Sequence, residues 1–284
     1  MDKVIIISGP TAAGKTAAAV NLAKKIGAEI ISCDSVQVYK YMDIGSAKAA
    51  PGERGGIPHH LIDVVLPSQT FSVGEYVAKA KKAFDDIRAR GKPVIVAGGS
   101  GFYLKSWFGA VSDELFVSEK IKAECDELQR SPNPNALLEK LLSLDSRAGE
   151  FIDIQNPRRV RPALERVMAS GMSVGELKRR FETLPCPYGE IEREFINIDL
   201  PDEEIFARAK IRAQKMVERG LVEETRKLLE MGIEKNPAAA SAIGYRETIS
   251  AIKTQNFEGL AEEIFASTRR LIRKQRKFLR SIGV

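Results

Sequence analysis

Val4-Ile5-Ile6-Ile7-Ser8-Gly9-Pro10-Thr11-Ala12-Ala13-Gly14-Lys15-Thr16 is the stretch that decides the fold. Its apolar start reads as a buried strand, and the Ala-rich segment Lys15–Ile26 behind it has helical spacing. Between them Gly9 to Thr16 satisfies G-x-x-x-x-G-K-[ST] in full, in the strand–loop–helix context that gives the pattern meaning. Glycines let the backbone wrap around phosphate oxygens, and the helix N-terminus adds N–H donors and a partial positive charge. Lys15 supplies a point charge to the outer phosphate, and the Thr16 hydroxyl is placed to ligate magnesium. Gly9, Pro10, Thr11, Ala12, Ala13, Gly14, Lys15 and Thr16 are therefore the expected diphosphate- or nucleotide-binding residues. The pattern leaves open whether a phosphoryl group is transferred or departs within a leaving group.

Working outward, Glu29–Cys33, Leu61–Leu66, Val94–Ala97 and Phe195–Ile198 read as further strands. Val73–Arg90 has helical period and is ended by Gly91-Lys92-Pro93. Alternating strand and helix implies a parallel sheet covered on both faces, with ligands outside the carboxyl ends of its strands. The expected fold is α/β, a P-loop nucleoside-triphosphate-hydrolase-like parallel core. From about Ser112 to Pro187 strand-like runs vanish, and Pro132, Pro134, Pro157, Pro162, Gly171 and Gly175 interrupt short polar helices. We expect a core made of residues 1–111 and 190–284, and a helical insertion over 112–189. After Asp199 the chain reads as helices at Asp202–Arg219, Val222–Met231, Tyr245–Lys253 and Leu260–Ile282. On the last of these Phe265, Thr268, Leu271, Ile272, Gln275, Phe278, Leu279 and Ile282 share one stripe.

The 284 residues carry a formal net charge of +6, with 44% hydrophobic and 29% charged residues. That is the composition of a globular protein with material for a substantial core. No apolar run has membrane-spanning length and no signal-type segment opens the chain, so a cytoplasmic protein without membrane contact is expected. Cys33, Cys125 and Cys186 lie far apart and match no zinc or redox spacing. His59 and His60, as strand neighbours, would point to opposite faces, which disfavours a shared metal. The positive charge is concentrated. Arg269, Arg270, Arg273, Lys274, Arg276, Lys277 and Arg280 follow one another with no acidic residue among them. A polyanionic partner is the sharp reading of that run, and a solvated helix face the bland one.

An enzyme hydrolysing or transferring phosphate usually offers an acid at the end of another strand. The run ending at Ala97 continues Gly98-Gly99-Ser100-Gly101, with no Asp or Glu. The run ending at Cys33 continues into Asp34. Asp34 is thus placed to bind magnesium through water or to accept a proton. The glycines around Ser100 allow close backbone approach, and its hydroxyl could donate to a bridging oxygen or a base edge.

These residues, taken with several further segments, resemble the tRNA dimethylallyltransferase (tRNA isopentenyltransferase) family. The matching segments are GPTAAGKT (Gly9–Thr16), DSVQVYKYMDIGSAK (Asp34–Lys48), HHLID (His59–Asp63), FSVGEY (Phe71–Tyr76) and GGSGFY (Gly98–Tyr103). RRV and ALE (Arg159, Val160 and Ala163–Glu165), GLVEE (Gly220–Glu224), AIGYRE (Ala242–Glu247) and TRRLIRKQ (Thr268–Gln275) follow in order. The resemblance implies transfer of a dimethylallyl group from dimethylallyl diphosphate to N6 of the adenosine 3′ of the anticodon, with diphosphate leaving. It implies that the loop holds the leaving group with Mg2+ on Thr16, although the same pattern is also that of an ATP site. It implies that Asp34 takes the N6 proton, with Lys15 and Ser100 as the other catalytic residues. It implies that Asp34, Ser35, Val36, Gln37 and Ser100 meet the RNA beside the reacting base. Basic segments complete the expected contact with the tRNA anticodon stem-loop: Arg158, Arg159, Val160, Arg161 and Pro162 in the insertion, and Arg273, Arg276 and Arg280 on the last helix. A monomer is expected.

The sequence departs from the family's usual pattern in four places. Ser100 stands where Thr is usual, Asn156 where Asp is usual, Pro162 where a second Arg is usual, and Lys277-Phe278 where Thr-Trp is usual. Pro162 leads us to expect the insertion helix to start or kink there. A small-molecule kinase, a prenyltransferase acting on free adenine nucleotides and a nucleotide-dependent RNA-binding protein are the rival readings.

Overall fold

The computed structural model describes residues 3–111, 113 and 115–282. The chain divides into two compact units, Met1–Phe108 with Pro187–Val284, and Gly109–Cys186.

In the first unit β1 (Lys3–Ser8), β2 (Glu29–Cys33), β3 (His59–His60), β4 (Val94–Gly98) and β5 (Glu192–Asn197) form one sheet in the order β3-β2-β4-β1-β5. Every pairing is parallel, with Ile5 beside Ile95, Ile31 beside Val96 and Ile7 beside Ile196. The β-branched runs of β1, β2 and β4 are buried on both faces, as a covered parallel sheet requires. α1 (Lys15–Ile26) packs Ala19, Val20 and Ala23 against Ile7, Ile30 and Ile95. α2 (Val73–Ala89) buries Tyr76, Ala80, Ala83, Phe84 and Ile87, and starts at a capping box in which Ser72 and Glu75 satisfy each other's amides. α3 (Gly101–Lys105) is a short turn of helix directly after β4.

The third strand is a correction. Leu61–Leu66 was the expected element, whereas β3 is His59–His60. Leu61 and Asp63 adopt left-handed backbone, with φ of 63° and 58°, and no strand can run through such residues. The pairing resumes only as a bridge between Tyr39 and Val65.

The second unit carries α4 (Glu119–Arg130), α5 (Ala136–Leu144), α6 (Pro157–Ser170) and α7 (Val174–Glu182). It has its own core, built on Cys125, Leu141, Ala148, Val160, Leu164, Val167, Val174 and Leu177. Of the two expectations for Pro162, a helix start there is also corrected. α6 begins at Pro157, where a missing N–H costs nothing, and Asn156 caps it by accepting from the Arg158 amide at 3.1 Å. The helix continues past Pro162, which lies exposed.

The first unit closes with α8 (Asp202–Glu218), α9 (Leu221–Glu230), α10 (Pro237–Ala240), α11 (Tyr245–Thr254) and α12 (Leu260–Ser281). α12 buries Leu260, Ile264, Ser267, Thr268, Ile272 and Leu279. Among the described residues no helix is long and apolar enough to cross a membrane.

A buried ionic knot fixes the amino-terminal end of the sheet. Glu29, 3% exposed, accepts from His60 Nε2 at 2.7 Å, Arg90 Nη2 at 2.7 Å and Lys92 Nζ at 2.8 Å. Burial alone would raise its pKa. The hydrogen bonds from Lys92 and His60 and the charge of Arg90 overrule burial and hold the carboxyl at about 2. A depressed folded-state pKa gives stability that is present above the ordinary value of 4.5 and lost as pH falls towards 2, on the order of 3 kcal/mol. Glu29→Gln should therefore melt well below the wild type at pH 7, and the gap should close as pH drops from about 5 to 2. Melting curves of both proteins across that range check it; a constant gap would refute the linkage.

Candidate active site

The phosphate loop is shaped by close contacts that only its sequence permits. Gly9 has φ of +145°, and a Cβ there would lie 1.9 Å from the Ile198 carbonyl oxygen, so the β1–loop junction excludes every other residue. Ala13, with Ala12 beside it, packs against Ile205 and Ala209 of α8 and Ile272 of α12. The Thr11 amide donates to Gln275 Oε1 at 2.8 Å, and Gln275 Nε2 donates to the Gly99 carbonyl at 3.1 Å. One side chain of α12 thus ties the phosphate loop to the glycine-rich turn after β4. The sequence placed Gln275 on an apolar stripe, and nothing in its helical spacing marks it as a staple.

The strand order explains why the candidate residues meet. β2, β4 and β1 are adjacent, so Asp34 after β2, Ser100 after β4 and the loop after β1 emerge side by side at one edge of the sheet. Asp34 Oδ1 accepts from the amides of Val36 at 2.9 Å and Gln37 at 3.3 Å, which fixes the turn that carries Ser35, Val36 and Gln37. The second oxygen, Oδ2, takes no part in that turn. Ser100 Oγ accepts from the Ser35 amide at 2.8 Å and donates to Ser35 Oγ at 3.1 Å, while the Ser100 amide donates to the Cys33 carbonyl at 3.2 Å. Ser100 therefore joins the two strand-end turns. Asp199, just beyond β5, is the other strand-end carboxylate, and Arg276 holds both of its oxygens at 2.8 and 2.9 Å.

Two cations serve the loop. Lys15 Nζ donates to the Pro10 carbonyl at 2.8 Å, and Arg212 Nη2 of α8 donates to Thr11 Oγ1 at 2.6 Å. Burial pushes Lys15 down to about 8, with the charge of Arg212 adding to the shift and that of Asp34 opposing it. Arg212 is lowered by burial as well, again opposed by Asp34. Arg212 was not found in the sequence: it lies in a helix crowded with charges, far along the chain from the loop it serves. Thr16 is exposed in the first turn of α1. Among the described residues no three His, Cys, Asp or Glu side chains cluster as a metal site.

The expected RNA contacts separate into two groups. Arg158 and Arg159 on α6, and Arg273 and Arg280 on α12, are exposed. Three others are corrected. Val160 is 3% exposed and belongs to the insertion's core, because its place on α6 faces inward. Arg161 is held by Asp126 at 2.7 Å and Glu165 at 2.8 Å. Arg276 is committed to Asp199, with Asp202 and the Leu200 carbonyl as further partners. Neither arginine offers a free charge to a phosphate.

A second clasp organises the segment after Asp34. Glu224 of α9 accepts from the amides of Asp43 at 3.2 Å, Ile44 at 2.9 Å and Gly45 at 3.2 Å, and from the Tyr245 hydroxyl at 2.8 Å. Lys48 Nζ, almost fully buried, donates to the Tyr39 carbonyl at 2.9 Å and pairs with Asp43 and Asp63 at 2.6 and 2.7 Å.

A lysine near pKa 8 makes anion binding pH-dependent in a definite sense. Below 8 it carries the charge that the anion needs; above 8 the anion must first recruit a proton. Affinity for a prenyl diphosphate should be flat from pH 7 to 8 and fall by up to tenfold per unit above it, with net proton uptake on binding. In Arg212→Ala the affinity at pH 7 should be weaker and the break should move to higher pH. Calorimetric titration in two buffers of different ionisation enthalpy measures both; binding without proton uptake at pH 8.5 would refute it.

Comparison with known proteins identifies the family. A family profile described as IPP transferase matches residues 37–282. A tRNA dimethylallyltransferase of Opitutus terrae is 41% identical over 97% of this chain and 89% of that protein. Another, of Acetivibrio thermocellus, is 36% identical over 99% of this chain and 90% of that protein. Among solved structures, the tRNA isopentenylpyrophosphate transferase of Bacillus halodurans matches with a TM-score of 0.70 at 32% identity, over 99% of this chain and 87% of that chain. A eukaryotic dimethylallyltransferase acting on tRNA matches with a TM-score of 0.84 at 28% identity, over 98% of this chain and 69% of that chain. A phosphate loop on a parallel sheet, near full-length likeness to these enzymes and a matching profile place the chain in the IPP transferase family.

Proposed function

We propose that the protein transfers a dimethylallyl group from dimethylallyl diphosphate to N6 of the adenosine 3′ of the anticodon in tRNA, releasing diphosphate. The observation that carries this reading is the asymmetry of the site. Two cations serve the phosphate loop, and Asp34 is the strand-end carboxylate left with an oxygen to spare. That arrangement suits the departure of a diphosphate and the uptake of one proton.

Lys15, Arg212 and the loop amides hold the diphosphate and stabilise the charge that grows on it as the carbon–oxygen bond breaks. Thr16 would hold Mg2+, which would supply further positive charge towards the diphosphate. The N6 amine attacks the dimethylallyl carbon, a carbon–nitrogen bond forms, and the amine proton passes to Asp34 Oδ2. The turn held by Asp34 Oδ1 and Ser100 keeps Gln37 and Ser35 beside that oxygen, where they meet the base. Bringing a base of a stacked loop to this point requires pulling it from its stack. Arg273 and Arg280 on α12, and Arg158 and Arg159 on α6, serve as phosphate contacts that position the RNA.

Incubation with labelled dimethylallyl diphosphate and either tRNA or AMP tests the acceptor: label should enter tRNA and not AMP. Asp34→Asn keeps the shape of the turn and removes the base, so single-turnover transfer should fall by about 10²–10⁴-fold while prenyl diphosphate affinity stays within a few-fold of the wild type. Near-normal transfer would refute the role of Asp34.

Arg273→Ala with Arg280→Ala should weaken all substrate tRNAs alike, and should reduce the slope of log affinity against log salt by about 0.7–0.9 for each lost phosphate contact. Binding titrations at several salt concentrations measure this. Unchanged slopes would return α12 to an ordinary charged surface.

A further inference from the structure

Among the described residues six that are not glycine have left-handed backbone: Ala12, Tyr41, Ala47, Leu61, Asp63 and Gln255. Ala12 lies in the phosphate loop, Gln255 ends α11, Leu61 is buried, and Asp63 is held by Lys48. Ala47 has the smallest side chain that can occupy such a position. Tyr41 is different. Its φ is +65°, in the region that favours glycine, yet it carries a large ring that is 56% exposed. Among the described residues that ring stacks on no aromatic or cationic partner and its hydroxyl makes no hydrogen bond.

The neighbours of Tyr41 impose this conformation. Tyr39 is 2% exposed and Met42 fully buried, so the chain is anchored on both sides. The Lys40 amide donates to the Val65 carbonyl at 2.9 Å, the Tyr39 carbonyl receives Lys48, and the Met42 carbonyl receives Ser46 Oγ at 2.6 Å. The backbone is thus fixed in a turn that glycine would fill without strain, and the strain leaves a tyrosine standing in solvent. Strain that packing does not explain points to function.

The position says which function. The chain runs from Asp34 to Tyr41 after the carboxyl end of β2, through turns, and pairs again at the isolated Tyr39–Val65 bridge. Seven residues of chain limit the separation from Asp34 to roughly 25 Å. Lys40 stands next to it in sequence. An exposed ring on a rigid turn, beside the base-binding segment, is what single-stranded RNA bases stack on.

We propose that Tyr41 is a stacking platform for an unpaired base that flanks the target adenosine in the tRNA anticodon loop. This rests on tRNA being the acceptor. Stacking of one base on an aromatic side chain corresponds to roughly 5- to 150-fold in affinity. Tyr41→Gly removes the ring and the strain together, and that makes the test two-sided. Its melting temperature should equal or exceed that of the wild type, while its affinity for substrate tRNA falls by a factor in that range. The salt slope and the KM for dimethylallyl diphosphate should not change, because no charge is lost. Tyr41→Phe should bind tRNA within about twofold of the wild type. Replacing the stacked nucleotide by an abasic one should erase the difference between wild type and Tyr41→Gly. Wild-type tRNA affinity in Tyr41→Gly, equal losses in the Phe and Gly variants, or a lower melting temperature in Tyr41→Gly would each overturn the assignment. The labelled-transfer assay on the wild type separates the two levels. If wild type fails to prenylate tRNA, the acceptor assignment is wrong and this inference goes with it. If it succeeds and Tyr41→Gly binds normally, only the stacking role falls.

Discussion

Lys15 and Arg212 are two half-buried cations at the mouth of a parallel sheet, and the rest of the site answers to that fact. Removing a charge from water is costly unless it is paired. Here the ammonium rests on the Pro10 carbonyl and the guanidinium on the Thr11 hydroxyl, both parts of the loop they serve. A carbonyl and a hydroxyl are weak substitutes for an anion. The depression of Lys15 to about 8 and of Arg212 from its usual value records the shortfall. In the proposed reaction a diphosphate supplies the missing negative charge.

Holding such a site open requires anchors from outside the loop, and the C-terminal helices provide them. Gln275 of α12 ties the Thr11 amide to the Gly99 carbonyl, which fixes the spacing between the loop and the turn after β4. Arg212 reaches in from α8. Glu224 of α9 gathers three successive amides of the segment that begins at Asp34, and the Tyr245 hydroxyl fixes that carboxylate from the other side. A carboxylate accepting several backbone amides is worth more than an ordinary hydrogen bond. The motifs GLVEE, AIGYRE and TRRLIRKQ, remote in sequence from the chemistry, thus have a common physical purpose: they hold the strand-end turns in register.

Much of this was legible in the residues, and what was not has definite causes. The phosphate loop, Asp34 and Ser100 could be placed because each follows an apolar strand, and the parallel order brings those strand ends together. β3 was misplaced because Leu61–Leu66 has a strand-like composition, while the left-handed turns at Leu61 and Asp63 depend on Lys48 reaching across from another segment. Val160 and Arg161 were assigned to RNA from a basic motif. The pattern could not say that one would face the core and the other would be neutralised by Asp126 and Glu165. Arg276 looked like its neighbours on a basic stripe until Asp199, distant in sequence, took its charge. Arg212 and Gln275 carry no local signal, since a charged residue in a charged helix and a polar one on a mixed stripe are ordinary.

Arg276 also bears on the chemistry. Asp199 leaves β5 at the same edge of the sheet as the phosphate loop, where a phosphoryl-transfer enzyme could use an acid to organise water. Arg276 binds both of its oxygens and α8 begins directly beyond it, so it is structurally spent. The remaining carboxylate, Asp34, follows β2, two strands away from β1 across β4. In the proposed reaction the cations at the loop hold the leaving group, and the Asp34 oxygen outside its turn takes the proton. Those two requirements belong to one reaction, displacement of a diphosphate by an amine, and Asp34 stands near enough to Lys15 and Arg212 for its charge to oppose the lowering of both.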